Sequence, residues 1–142
     1  MLGRLKRSGA CAVLFVALAV FAACAPSTSE PMESETAGQV VTIEELHSTL
    51  ETKDFLLVNV HIPFDGDIPG TDVSIPYNNI EGHADKLPDD KDAKIVLYCR
   101  SGGMSAAASK TLAGMGYANV FDVPGGMNAW TAAGYELLTE PG

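Results

Sequence analysis

Cys99 is the residue whose setting asks for a chemical explanation. The sequence holds three cysteines. Cys11 lies inside an apolar run and Cys24 at its end, so Cys99 is the one thiol in the body of the chain. On residue type alone, a free cysteine is most often a small apolar core residue. The neighbours change that weighting. Cys99 closes an apolar run of strand length, Lys94 to Cys99 (KIVLYC), followed by Arg100-Ser101-Gly102-Gly103 and then an Ala-rich, helix-prone stretch from Met104 to Met115. The glycines let the loop backbone curl so that successive N–H groups converge as an anion nest. The following helix aims its positive end at the same point. Arg100 adds a fixed charge, although its side chain is free to face solvent. Ser101 and Ser105 are possible hydrogen-bond donors, and equally a turn residue and a helix-start residue. Each effect favours thiolate over thiol, and the thiolate is the nucleophile. A persulfide on that sulfur would place its terminal charge in the same cradle.

Other chemistries fit poorly. His47, His61 and His83 are scattered without ligand spacing, and three cysteines make neither a four-Cys zinc site nor a disulfide scaffold. No metal is expected. A cysteine phosphatase needs an Arg six positions after its Cys to fork the phosphate oxygens; that position is Ser105. Trp130, with Val120, Phe121 and Val123, reads as core. Gly125 and Gly126 read as turn makers rather than a phosphate cradle.

The elements that must hold Cys99 alternate in type. Gln39 to Thr42 reads as a short strand. Thr42 and Glu45 have capping-box spacing, and Ile43, Leu46 and Leu50 share one face of a helix ending near Thr52. Phe55 to Val60 (FLLVNV) is an apolar run typical of a strand buried on both faces. Pro63, Gly66, Pro69 and Gly70 mark a loop over 61–74. Ser74 to Tyr77 reads as a short strand, Asn79 to Leu87 as a short helix, and 89–92 (DDKD) as an exposed turn. Gly116 stops the helix that begins at Met104. Asn119 to Val123 is a strand, and Met127 to Ala133 a last helix ended by Gly134. This order predicts an α/β domain, doubly wound, with a mainly parallel sheet and helices on both faces. Ligands in such sheets bind beyond the carboxyl ends of the strands, where Cys99 stands.

The N-terminal part is organised differently. Arg4, Lys6 and Arg7 precede an unbroken apolar run, residues 10–21, and then Ala22-Ala23-Cys24-Ala25. Basic, apolar, then small is the order of a secretory signal. Twelve helical residues rise about 18 Å, well short of a hydrocarbon core of about 30 Å, so an uncleaved anchor is the weaker reading. Phe21-Ala22-Ala23-Cys24 resembles the lipobox of bacterial lipoproteins, with Phe21 in place of the usual Leu. The resemblance implies that Cys24 is lipidated and becomes the mature N-terminus. Cleavage after Ala25, giving a secreted soluble protein, is the alternative. Residues 24–38 follow as a flexible tether, rich in Ser, Thr, Glu and Pro. The expected organisation is thus a signal over 1–23, a tether over 24–38 and one folded domain over 39–142. The product is exported and anchored facing the periplasm or cell exterior. Removing Arg4, Lys6 and Arg7 leaves 6 basic and 18 acidic residues. That balance excludes a sequence-independent nucleic-acid binder and a basic membrane-binding patch.

Three ordered segments resemble a single rhodanese domain. Val96-Leu97-Tyr98-Cys99-Arg100-Ser101-Gly102 is similar to that family's active-site strand and loop. The run from Val120 to Trp130 (VFDVPGGMNAW) is similar to its C-terminal motif, and Ile68-Pro69-Gly70 through Ile75-Pro76 to its loop after the second strand. The resemblance covers nearly all of residues 39–142. It implies a rhodanese-like fold and a sulfurtransferase; a monomer is expected. Cys99 would take a sulfane sulfur from a small donor as a persulfide and pass it to cyanide or a thiol. The loop Arg100, Ser101, Gly102, Gly103, Met104 and Ser105 would bind the anion. No metal or organic cofactor is implied. Two positions depart from the pattern. Asn59-Val60-His61 stands where the family usually has Asp-x-Arg, so a structural ion pair is expected to be missing. Met104 stands where many active members carry a cation, so thiosulfate is not assured as the donor of this thiosulfate sulfurtransferase-like enzyme; Met104 suits a larger, less charged donor, or simply caps the helix against the core. A catalytically weak binding or sulfur-carrier module is the alternative to the enzyme.

Overall fold

The computed structural model describes residues 38–141; the signal, Cys24 and nearly all of the tether lie outside them. Strands and helices alternate along the chain: β1 (Gln39–Val40), α1 (Ile43–Thr49), β2 (Leu56–Asn59), β3 (Val73–Ser74), β4 (Ile95–Tyr98), α2 (Gly103–Gly114), β5 (Val120–Asp122) and α3 (Gly126–Ala132). The sheet order is β1-β5-β4-β2-β3, and every strand pairing within it is parallel.

β4 is the central strand, and all four of its residues are buried. A strand covered on both faces reads as a continuous apolar run rather than an alternating one, which is how Ile95-Val96-Leu97-Tyr98 reads. Alternate residues enter two separate cores. Ile95, Leu97 and Cys99 join Val58, Val60, Ala108 and Leu112 on the α2 side. Val96 and Tyr98 join Ile43, Leu46, Met127 and Trp130 on the side covered by α1 and α3. Helices therefore cover both faces, as the sequence predicts.

Thr42 and Glu45 close α1 with the full capping box: Thr42 N–H donates to Glu45 at 2.9 Å, and Glu45 N–H donates back to Thr42 Oγ1 at 3.2 Å. Past Thr49 the helix tightens into a 3₁₀ turn over Leu50–Thr52. Two elements differ from expectation. The third strand lies at Val73–Ser74, not over 74–77; Ile75 and Tyr77 N–H still donate to the Asn59 and Val60 carbonyls, but Pro76 between them has no N–H to continue a regular strand. Glu81–Lys86 is 3₁₀ rather than α and breaks at His83. None of its residues is buried, so no apolar face holds it to α-helical geometry.

Candidate active site

Hydrogen bonding along β4 stops at Tyr98, and the chain then turns tightly around the Cys99 sulfur. Cys99 is the only free cysteine among the described residues and is buried. Gly102 makes the turn at φ +106°, a conformation open to glycine. Its N–H donates to Cys99 Sγ at 3.0 Å, and the Ser105 hydroxyl lies 3.5 Å from the same sulfur. That hydroxyl is also 3.1 Å from the Gly102 carbonyl, so its single proton has two acceptors to choose between. Burial alone pushes the Cys99 thiol up. The Ser105 hydroxyl and the N–H groups of Ser105, Gly102 and Ser101 outweigh it and hold the thiol below its ordinary value.

The loop residues divide by what they touch. Gly102 and Ser105 reach the sulfur through donors, while the Ser101 side chain is exposed. Gly103 opens α2. Met104 is half-buried and packs against the core cluster that contains Cys99, so no cation stands at that position. Arg100 takes the solvent-facing course that the sequence leaves open. It is exposed and reaches sideways to Asp65, with Nη1 3.4 Å from Oδ2; the depression of the thiol comes from neutral donors instead.

A second helix secures the loop from behind. Met127 N–H donates to the Cys99 carbonyl and Asn128 N–H to the Arg100 carbonyl, each at 2.9 Å. The unpaired donors at the start of α3 thereby satisfy the carbonyls of the turn. This approach depends on Gly126, where φ is +50° and a Cβ would fall 1.9 Å from the Cys99 carbonyl oxygen. Gly126 does make a turn, as the sequence suggests. Its closeness to Cys99 is a second requirement that was not legible, because the two residues are 27 positions apart.

Beside the loop, the Asn59-Val60-His61 departure has a structural answer. Asn59 is buried, and its amide donates to Asp67 Oδ1 at 2.8 Å and to the Gly66 carbonyl at 3.0 Å. Asn59 Oδ1 accepts from His61 N–H at 2.9 Å. Asp67 Oδ1 also accepts from Tyr98 OH at 3.0 Å, and Tyr98 OH accepts from Ile68 N–H at 3.0 Å. The expected loss of an ion pair is met by an amide–carboxylate pair. Burial, ahead of all other causes, drives the Tyr98 hydroxyl far above its ordinary pKa, so it stays a donor to Asp67. His61 is half-buried, and its Nδ1 has no partner.

A parallel α/β sheet with a depressed thiol in a glycine loop at the end of its central strand defines a class of cysteine-dependent transfer domains. Residues 42–133 match the family described as the Rhodanese-like domain, and the chain belongs to that family. A sulfurtransferase of Allochromatium vinosum is 34% identical over 95 residues, covering 65% of this chain and 86% of the relative. A probable adenylyltransferase/sulfurtransferase, MoeZ, of Mycobacterium tuberculosis is 35% identical over 99 residues, covering 66% of this chain but 24% of that longer protein. The crystal structure of a rhodanese-related protein from Thermoplasma volcanium superposes with a TM-score of 0.61 at 26% identity, covering 72% of this chain and all of that one.

Proposed function

We propose that the protein is an exported sulfurtransferase in which Cys99 carries a sulfane sulfur. The observation behind this reading is the Gly102 N–H held 3.0 Å from a buried sulfur whose pKa is lowered. The Cys99 thiolate attacks the sulfane sulfur of the donor, and the donor's S–S bond breaks, its electron pair leaving with the departing group. Cys99 then holds a persulfide, whose terminal sulfur sits at the mouth of the N–H cradle. An acceptor thiolate or cyanide attacks that sulfur, and Cys99 departs as thiolate. Sulfur moves, and no external oxidant or reductant is consumed.

Met104 sets the donor class. With an apolar side chain in place of a cation, a dianion such as thiosulfate has no charged partner at that position, and a low-molecular-weight or protein persulfide suits the loop better. The lipobox-like ending at Cys24 supports lipid anchoring at the membrane, with 24–38 as the tether and a monomeric domain facing the periplasm or exterior.

Mass spectrometry of the protein after incubation with glutathione persulfide and, separately, with thiosulfate tests the reading. A gain of one sulfur on Cys99 from the persulfide, absent in Cys99→Ala, is the expected result. No gain from either donor would leave a binding module that keeps the fold without the chemistry.

A further inference from the structure

A cavity of about 330 Å³ opens between α2 and the β1–β5 edge of the sheet, and Cys99 is not among the residues that line it. Ala106, Ala113, Tyr117 and Val120 supply apolar wall. Two polar groups interrupt it. Ser109, on α2, is only 8% exposed, and its hydroxyl has no hydrogen-bond partner. Asp122, at the end of β5, has its Oδ1 buried and equally without a partner. Buried polar atoms are nearly always paired. Two orphans lining one cavity of small-molecule size indicate a ligand that completes them.

The chemistry of the orphans selects the ligand. An ionised Asp122 only accepts hydrogen bonds, so the ligand must donate. An anion would be repelled, and a wholly apolar molecule would leave both groups unpaired. Burial raises the Asp122 carboxyl above its ordinary value, partly offset by the nearby Ser105 hydroxyl and the Val123 N–H. A cation beside the carboxyl would remove that penalty. Residues 38–141 carry 15 acidic and 6 basic side chains, a field that draws cations in. Lys110 also borders the cavity, but it is exposed, and its flexible stem lets the ammonium turn to water.

We propose that this cavity binds a small primary amine with an apolar body. The ammonium donates to Asp122 Oδ1 and Ser109 Oγ, and the body rests on Ala106, Ala113 and Tyr117. Neither Cys99 nor Ser105 lines this cavity, and the Ser105 hydroxyl stands between the two sites, near both Cys99 Sγ and Asp122.

The test is an NMR titration of the ¹⁵N-labelled full chain with benzylamine, benzyl alcohol and benzoate, following the amides of Ser109 and Val120. Saturable millimolar binding of benzylamine is expected, with the alcohol and benzoate at least about tenfold weaker. Asp122→Asn should weaken benzylamine by a similar factor, Ala113→Leu should block it by filling the cavity, and Cys99→Ala should leave it unchanged. Equal binding of the alcohol, full affinity in a folded Asp122→Asn or Ala113→Leu protein, or no saturable shift in the wild type would each overturn the proposal. Should Asp122→Asn fail to fold, the wild-type comparison of amine with alcohol still decides.

Discussion

The two sides of the sheet treat buried polar groups in opposite ways. On the side covered by α1 and α3, Asn59, Asp67 and Tyr98 satisfy one another and the backbone through bonds of 2.8–3.0 Å, and among the described residues there only the adjacent His61 Nδ1 is left without a partner. On the α2 side, Cys99 takes one N–H bond and a long contact from Ser105, while Ser109 Oγ and Asp122 Oδ1 have no partner. A saturated buried network has no capacity left for a ligand, and it fixes one arrangement of the chain. An unsaturated one retains donors and acceptors for something that arrives later. On the proposed function, the saturated side serves as the support and the Cys99 side as the reacting surface, with β4 contributing to both through alternate residues.

The largest expected effect comes from breaking the support at its closest contact with the reacting surface. Gly126→Ala puts a methyl where the Cys99 carbonyl already sits and asks alanine to adopt φ +50°. The backbone of α3 or of the loop must move. A stability loss of about 3–5 kcal/mol is expected, by analogy with other severe buried and strained substitutions, measured as the midpoint shift in urea with Asn128→Ala, two residues along α3, as control. A Gly126→Ala protein of near wild-type stability would mean that α3 does not hold the loop.

Asn59→Asp sharpens the comparison from the saturated side. It restores the family's more usual acid, yet here it replaces a donor 2.8 Å from Asp67 Oδ1 with a second carboxylate. Two adjacent buried carboxylates cannot both ionise readily, so their folded pKa values rise above the unfolded ones. The sign follows. Groups raised on folding favour the native state at pH below their unfolded values and lose that support as pH climbs. The variant should be about 3 kcal/mol less stable than wild type at pH 7, with the gap narrowing toward pH 4. Chemical denaturation across that range measures it. An unchanged gap would show that Asp67 has another partner to absorb the charge.

On the reacting side, Met104→Arg supplies a cation where the loop has none. A charge-assisted hydrogen bond contributes about 1.5–3 kcal/mol, or roughly ten- to a hundred-fold. Thiosulfate:cyanide kcat/KM should rise within that range. If wild-type enzyme already saturates at low thiosulfate, the loop N–H groups suffice for the anion, and Met104 does not set the donor class.

What the sequence revealed of these two sides follows from range. The capping box at Thr42 and Glu45, the apolar runs that became β2 and β4, and the strand, Cys99, glycine loop and helix are all local patterns. Local hydrogen bonds and periodicity decide them. The Asn59–Asp67 pair spans a loop and joins two residue types that are usually exposed, so composition gave no hint of their burial. The Gly126 approach and the cavity shared by the orphans Ser109 and Asp122 exist only once α3, α2 and β5 have packed. The charge of Arg100 is legible in the same local way, but its turn toward Asp65 is set by a loop from elsewhere in the chain.

The smallest expected effect concerns the thiol itself, and it separates neutral donors from charge as the cause of its acidity. Ser105 lies against the sulfur, and its hydroxyl and N–H are the leading influences lowering the thiol after burial raises it. Ser105→Ala removes the hydroxyl and keeps the backbone N–H, so the midpoint of iodoacetamide alkylation against pH should move up. Arg100→Ala should leave it almost unmoved, because the guanidinium points toward Asp65. The same shift carries a stability consequence. A thiol depressed on folding contributes native stability that is fully present above its unfolded pKa, near 8.5, and is lost as pH falls through the folded value. Wild type should therefore gain stability as pH rises across that interval, Ser105→Ala should gain less, and Cys99→Ala should show none of this gain. A larger shift of the alkylation midpoint in Arg100→Ala than in Ser105→Ala would reassign the acidity to charge and remove the contrast between a donor-lined reacting side and a saturated support.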